Sequence, residues 1–248
     1  MGDTIVSIHQ PNFLPWLKLL DKILASDVYV AYDTVLYTKS EYHARQKVKS
    51  HAGPVWLSVP VRHVRGQQQV IEEVVIDNGQ PFRSRHLRRI KLSYGSTPYF
   101  GEVFPILEDV YGRGQERLVD LNVDLIGALC SYLDAQVRIV RASSVPHDGD
   151  RTQRLIDLVT NLGGTEHLTS TFGTDGPPVD WHRFTAAGIP VSSQHFEHPE
   201  YEQVGDDFIP GLAAIDMLFM YGRKVGEVLA SRRRNVRVDP ASGAEPGR

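Results

Sequence analysis

A single cysteine, Cys130, occurs in 248 residues. No disulfide can form within the chain, which fits a reducing compartment. Cys130 falls inside an apolar helical pattern, so it reads as core rather than as a nucleophile, and thiol catalysis is disfavoured. No run of about 18 apolar residues exists, so no membrane span is expected. Met1-Gly2-Asp3 is not a basic region leading into an apolar stretch, so no signal peptide is expected. Ser7 stands one place too late for a myristoylation pattern. An excess of positive charge is also missing. Lys and Arg number 27 against 30 Asp and Glu, a net charge of −3, which argues against a dedicated nucleic-acid binder. There is no Gly-rich phosphate loop, no Rossmann fingerprint and no Gly-x-Ser-x-Gly elbow. A cytoplasmic protein that does not enter a membrane is the expectation.

With 41% hydrophobic residues, the chain can bury a sizeable core without staples. Its length suits one domain, expected over residues 1–238. Residues 239–248 have the composition of a disordered tail. Basic residues do cluster, at Arg83, Arg85, His86, Arg88, Arg89 and Lys91, and again at Arg232, Arg233, Arg234 and Arg237. These read as a solvated helix face and a solvated tail.

Ile5 to Ile8 reads as a buried strand, Leu17 to Leu24 as an amphipathic helix, and Val28 to Tyr32 as a second strand ending on Asp33. Tyr37 to Lys49 is polar, basic and aromatic, and Trp56 to Val61 has strand character. Gly66 to Gln69 is a loop, and Val70 to Ile76 is β-rich. Helices are expected over Pro81–Tyr94, Tyr99–Tyr111 with Pro105 as a kink or break, Glu116–Leu133, Asp148–Leu162, Trp181–Ala187 and Leu212–Leu229. Short strands are expected at Val137–Val140, Glu166–Thr169 and Ile189–Ser192, with a Gly- and Pro-rich loop over Ser170–Pro178. The fold class is α/β: a mixed, mainly parallel sheet flanked by helices, with an α-helical C-terminal part.

The first loop carries the strongest site signal. His9, Gln10, Asn12 and Trp16 follow the first strand, where open α/β sheets place ligands. Pro11 and Pro15 stiffen the loop, and a stiff loop suits preorganised groups. His9 can act as acid or base near neutral pH. Gln10 and Asn12 can donate and accept hydrogen bonds. Asp33 either caps a turn or serves a site at the sheet's end. Tyr42, Arg45, Lys47 and Lys49 form a basic, aromatic loop. From spacing alone it reads as a solvated surface, although Arg suits carboxylate or phosphate. His195 and His198 lie three apart, but Pro199 biases His198 toward extended backbone, where positions three apart face opposite ways. No metal site is expected.

The run His9-Gln10-Pro11-Asn12-Phe13-Leu14-Pro15-Trp16 resembles the opening signature of the WbqC-like protein family. The likeness continues through Asp33, Tyr37 and Lys39, through Arg45 with Lys47-Val48-Lys49, and through Trp56 to Val61. It resumes at Thr152 to Ile156, at His198 to Gln203, at Phe208-Ile209-Pro210 and at Ile215 to Phe219. In all it covers roughly residues 4 to 225. Two departures stand out: Leu36 takes the place of a glutamine before Tyr37, and His43-Ala44 that of a Gln-Asn pair before Arg45. The resemblance implies a role in O-antigen or specialised-metabolite gene clusters, with glycine transfer onto an amino sugar as the suggested chemistry. It implies no particular cofactor.

Three functions are therefore open. In an amide-forming acyl or aminoacyl transferase, His9 would be the base, and Gln10, Asn12 and Lys39 the oxyanion donors. Asp33 would orient His9 or hold the acceptor amine, giving His9, Asp33 and Lys39 the catalytic roles. Arg45, Lys47 and Lys49 would bind an anionic donor, tRNA-linked donors included, and Tyr201 and Gln203 would line the other wall. Gln10, Asn12, Trp16, Tyr42 and His198 complete the substrate-binding set. The partners would be a small amine acceptor and an activated acyl donor. A nucleotide-dependent ligase or nucleotidyl transferase is the second function, and a non-catalytic binding protein of the pathway the third.

Overall fold

The computed structural model describes residues 2–62, 68–170 and 179–238. The expected tail at 239–248, most of the 170–178 loop and part of the 66–69 loop lie outside the described residues.

Strand β1 (Ile5–His9) alternates its side chains between two cores. Val6 and Ile8 point to one, together with Val28 and Val30 of the next strand. Ser7 and His9 belong to the opposite face, the side of Tyr29 and Ala31. Helix α1 (Leu17–Leu24) buries Leu17, Leu19, Leu20 and Ile23 and leads to strand β2 (Val28–Ala31), which pairs parallel with β1. This strand–helix–strand unit follows the expected boundaries closely.

Strands β3 (Arg45–Ser50) and β4 (Gly53–Ser58) form a separate antiparallel hairpin. The sequence reads the first as loop and starts the second too late. Helices α2 (Phe82–Tyr94), α3 (Phe100–Gly112) and α4 (Leu118–Tyr132) then pack on one another and on the hairpin's inner residues Val48 and Leu57. α3 runs on through Pro105 without a break. As the sixth residue of the helix, Pro105 removes one rung of the ladder, the bond to Gly101 O. The β-rich stretch at 70–76 is a 3₁₀ turn, Ile71–Glu73, flanked by isolated bridges at Val70, Val75 and Ile76.

Strand β5 (Arg138–Arg141), helix α5 (Arg151–Asn161), strand β6 (Glu166–Ser170), helix α6 (Trp181–Ala186) and strand β7 (Val191–His195) complete the parallel part. The expected terminal helix is two, α7 (Ile215–Tyr221) and α8 (Lys224–Arg232). Gly222 separates them with φ +58, and a Cβ there would lie 2.4 Å from the Tyr99 ring, so only glycine fits. Strand β8 (Arg234–Arg237) pairs antiparallel with β7. The arginine-rich end is therefore an edge strand, and Arg233 is not solvated tail: its Nε donates to the buried Asp21 carboxylate at 3.0 Å.

The six strands run in the order β5-β2-β1-β6-β7-β8. The chain builds outward from β1 on one side, then returns to build on the other. The carboxyl ends of β1 and β6 thus form the topological switch point, where such sheets bind ligands.

Candidate functional site at the switch point

Residues 10–16 turn sharply after β1, and distant segments hold the turn. The Phe13 N–H donates to Tyr42 O at 3.0 Å, and the Ala214 N–H donates to Pro15 O at 2.8 Å. The buried Asn122 amide donates to both Pro11 O and His43 O at 2.8 Å. Leu14 is fully buried with φ +45, a left-handed conformation costing a non-glycine residue about 1 to 2 kcal/mol. Such strain persists where surrounding contacts over-determine it. Asn12 is buried inside this turn.

The turn fixes two imidazoles around one carboxamide. His9 Nδ1 donates to the Gln10 carbonyl at 2.8 Å, leaving Nε2 as the acceptor nitrogen. His43 Nε2 donates to Gln10 Oε1 at 3.1 Å, while its Nδ1 accepts from the Thr38 N–H at 3.3 Å. With its oxygen occupied, Gln10 keeps its NH₂ as a donor, without a partner among the described residues. Burial, the Lys22 ammonium and, further off, His43 and Lys18 push His9 down to about 3. Burial pushes His43 down to about 4. Both rings are neutral at pH 7.

Lys22 was not among the residues the sequence pointed to, and it lies at the centre of this region. It is buried in α1, with Nζ 3.0 Å from Ile8 O and 3.3 Å from Ser170 Oγ. It therefore bridges the ends of β1 and β6. Burial, then the neighbouring Lys18 charge, lowers it to about 7. In sequence a lysine on an amphipathic helix reads as solvated. Only the return of β6, some 148 residues later in the chain, buries it.

From His9 a row of aromatic rings leads outward. Trp16 lies edge-on at 6.1 Å from His9, Tyr42 at 4.8 Å from Trp16, and Trp56 at 6.1 Å from Tyr42. Trp56 is exposed on the hairpin's outer face. The Arg45 guanidinium lies 4.6 Å and the Lys47 ammonium 5.0 Å from its ring centre. His9, Gln10, Trp16, Tyr42, Arg45 and Lys47 are thus brought into one connected surface, with Trp56 added to the set. The basic loop expected from spacing is an ordered strand.

The other sequence candidates have different surroundings. The Asp33 carboxylate is fully buried and accepts from Arg141 Nε at 2.8 Å, the Ser143 N–H at 2.9 Å and Ser143 Oγ at 2.8 Å. It makes no hydrogen bond to His9. Lys39 is exposed on the loop after β2. Lys49, His198, Tyr201 and Gln203 belong to a second polar network. Tyr94 and Tyr201 both donate to the Asp216 carboxylate, at 2.7 and 2.8 Å, and the Lys49 N–H donates to the Tyr94 oxygen. The Lys49 ammonium bonds Asp207 O. Gln203 closes a two-point bond with the backbone of Ile209, and His198 joins Pro199 O to the Gly211 N–H. This network meets the first loop through backbone contacts, Ala213 N–H to Lys47 O and Ala214 N–H to Pro15 O.

Among the described residues, no three His, Cys, Asp or Glu side chains are grouped to hold a metal ion. A cavity of about 350 Å³ lies between Trp181 and Thr185 of α6, Val191 of β7 and Arg237 of β8. It opens at the amino edge of the parallel sheet, away from His9, and holds none of the residues above. No described helix is long and apolar enough to cross a membrane.

The sequence profile of the WbqC-like protein family matches residues 10–227. A relative from Mycobacterium tuberculosis, described as "Uncharacterized protein Rv1507c", is 30% identical over 227 residues, covering 90% of this chain and 96% of its own. The profile takes in every element from the loop after β1 to α8, and with it the whole candidate site except His9, which stands one residue before it. The chain belongs to the WbqC-like protein family.

Proposed function

We propose that this protein is a biosynthetic transferase joining an amine acceptor, such as an amino sugar, to an activated acyl or aminoacyl group. The observation that carries this reading is the His9–Gln10 pair, a neutral imidazole beside a carboxamide, whose Nε2 and NH₂ have no hydrogen-bond partner among the described residues. Amide formation needs both. The amine nitrogen attacks the carbonyl carbon, and its proton passes to His9 Nε2. The oxyanion is met by the Gln10 amide. The bond to the leaving group then breaks, and the proton leaves with that group. Trp16, Tyr42 and Trp56, with Arg45 and Lys47, form the wall along which the longer substrate lies. Asp33 acts at a distance, holding the end of β2 against Arg141 rather than touching substrate. Lys49, His198, Tyr201 and Gln203 support the first loop from behind.

A nucleotide-dependent ligase is the second reading, favoured by the site's place at the switch point of a doubly wound sheet, where nucleotides bind. One assay separates the two. Purified protein is incubated with a nucleotide-linked amino sugar and a panel of donors: aminoacyl-tRNA, acyl thioester, acyl phosphate, acyl adenylate, and free amino acid with ATP and Mg²⁺. Products are read by mass. An amide formed from a preactivated donor without ATP supports the transferase. Product only with ATP supports the ligase, and no product from any donor removes both.

A further inference from the structure

Lys22 is 2% exposed, yet among the described residues no carboxylate pairs with it. Its hydrogen-bond partners are a carbonyl and a hydroxyl, Ile8 O and Ser170 Oγ. Among the described residues, the charged or titratable groups close enough to act on it are basic: Lys18 one turn earlier on α1, His9 on β1 and His167 on β6. The one acid on α1, Asp21, is turned to Arg233 and Gln194. A buried ammonium without a counter-charge is costly, by several kcal/mol for an unpaired ion, and removing that cost would take one change to methionine or leucine. A buried lysine in this state at the sheet's switch point, where such folds bind ligands, is suited to a negative group that arrives with the ligand.

We propose that Lys22, with Ser170, is an oxyanion subsite that takes a phosphate group of the substrate at the joined ends of β1 and β6. Phosphate is favoured over carboxylate because two donors stand side by side, the Lys22 ammonium and, 3.3 Å from it, the Ser170 hydroxyl, with Lys18 adding charge. That suits a tetrahedral group carrying more than one negative charge. This deepens the transferase reading and rests on it for the group's purpose. The phosphate is the leaving group of an acyl phosphate or acyl adenylate donor. The amine attacks the carbonyl carbon, and the bond between that carbon and the phosphate oxygen breaks. The electron pair stays on the departing phosphate, which Lys22 holds, and the amine proton goes to His9. The same anion changes His9, whose imidazolium is disfavoured by burial first and by the Lys22 charge second. A phosphate beside Lys22 offsets that charge, so the base gains strength when the donor is in place.

The test is binding of inorganic phosphate and of AMP to the full-length protein. It is read by thermal shift and by the histidine ¹⁵N resonances across a pH titration. In the wild type both ligands should raise the melting temperature saturably and move the His9 titration to higher pH. Lys22→Met should weaken phosphate binding about ten- to a hundredfold, the scale of losing a hydrogen bond to a charged group, and Ser170→Ala should weaken it less. Equal binding by Lys22→Met, or no saturable response in the wild type, overturns the proposal. Acetate matching phosphate in affinity overturns the choice of phosphate. If Lys22→Met does not fold, Lys22→Gln and the wild-type His9 titration decide the matter. Phosphate binding without any amide product would remove the transferase reading and leave the subsite. Amide formation from a donor without phosphate, unaffected by Lys22→Met, would do the reverse.

Discussion

Gln10 Oε1 accepts a hydrogen bond from His43 Nε2 at 3.1 Å, and that bond decides which end of the carboxamide faces the crevice. His43 thus acts through Gln10 as a positioning residue. His43→Phe should keep the fold, since it keeps a ring against Tyr37. It frees the carboxamide to rotate and should lower kcat about tenfold with KM little changed. His43→Gln, which can still donate, should recover most of the loss. Steady-state kinetics on the three proteins read the split. A change in KM alone would place His43 in substrate binding instead.

His9→Ala should cost about 10²- to 10⁴-fold in kcat, the usual weight of a general base. Added imidazole should restore part of it. Circular dichroism must first show that the variant is folded. Full kcat in folded His9→Ala would make the histidine structural.

Trp56→Ala and Arg45→Ala should act on binding. Both remove part of the rail outside the reacting centre, so KM should rise with kcat nearly unchanged. The pair should be less than additive, because Arg45 packs on the indole it would lose.

Stability should depend on pH in a set direction. His9, His43, His86 and His167 are all held well below the usual histidine value, chiefly by burial. Between their folded values and about 6.5 the unfolded chain binds more protons, so stability falls as pH drops below about 6.5, by up to ~1.4 kcal/mol per pH unit for each group. Lys22 is also lowered, to about 7. From pH 7 upward the unfolded chain again binds the extra proton, so this residue makes stability rise toward its ordinary value near 10.5. Urea titrations from pH 4.5 to 9.5 would show both limbs. Lys22→Met should stabilise the protein at pH 7 and flatten the alkaline limb. An unchanged alkaline limb would contradict the burial of a charged lysine.

Asp33→Ala should destabilise by about 3 kcal/mol, since it strips a partner from Arg141 and from the Ser143 N–H. Chemical denaturation gives the value. A loss under about 1 kcal/mol would mean that water replaces the carboxylate and that the clamp contributes little.

In the parallel half of the fold β1, β2 and β5 are legible because each carries β-branched apolar residues. Strands β6 and β7, with one apolar residue each, are legible mainly from the glycine and proline turns beside them. The hairpin is not legible. Arg45 to Ser50 carries a single apolar residue, Val48, and its other inward position is Gln46, fully buried. Alternation with one apolar member is no signal. The same limit applies to the site. His9, Gln10 and Trp16 stood together in one stiff loop and could be read there. The sequence places Trp56 in a strand and does not single out Lys22 on its amphipathic helix, because the contacts that define them come from other parts of the chain. The roles expected for Asp33 and Lys49 came from residue type, and their partners Arg141 and Asp207 lie more than a hundred residues away.

The strand order has a consequence for how the chain folds. β1 pairs with β2 about twenty residues later, yet its other neighbour, β6, begins at Glu166, and β2 waits for β5 at Arg138. Closing loops of that length precedes any reward from the pairing, which slows folding. During synthesis β1 and β2 emerge first as a two-stranded ribbon with both outer edges unpaired, a form prone to pairing with other chains. The site therefore comes into being late, when β6 brings Ser170 to Lys22, so a chain cut short before Glu166 would carry the whole opening signature and still lack the crevice.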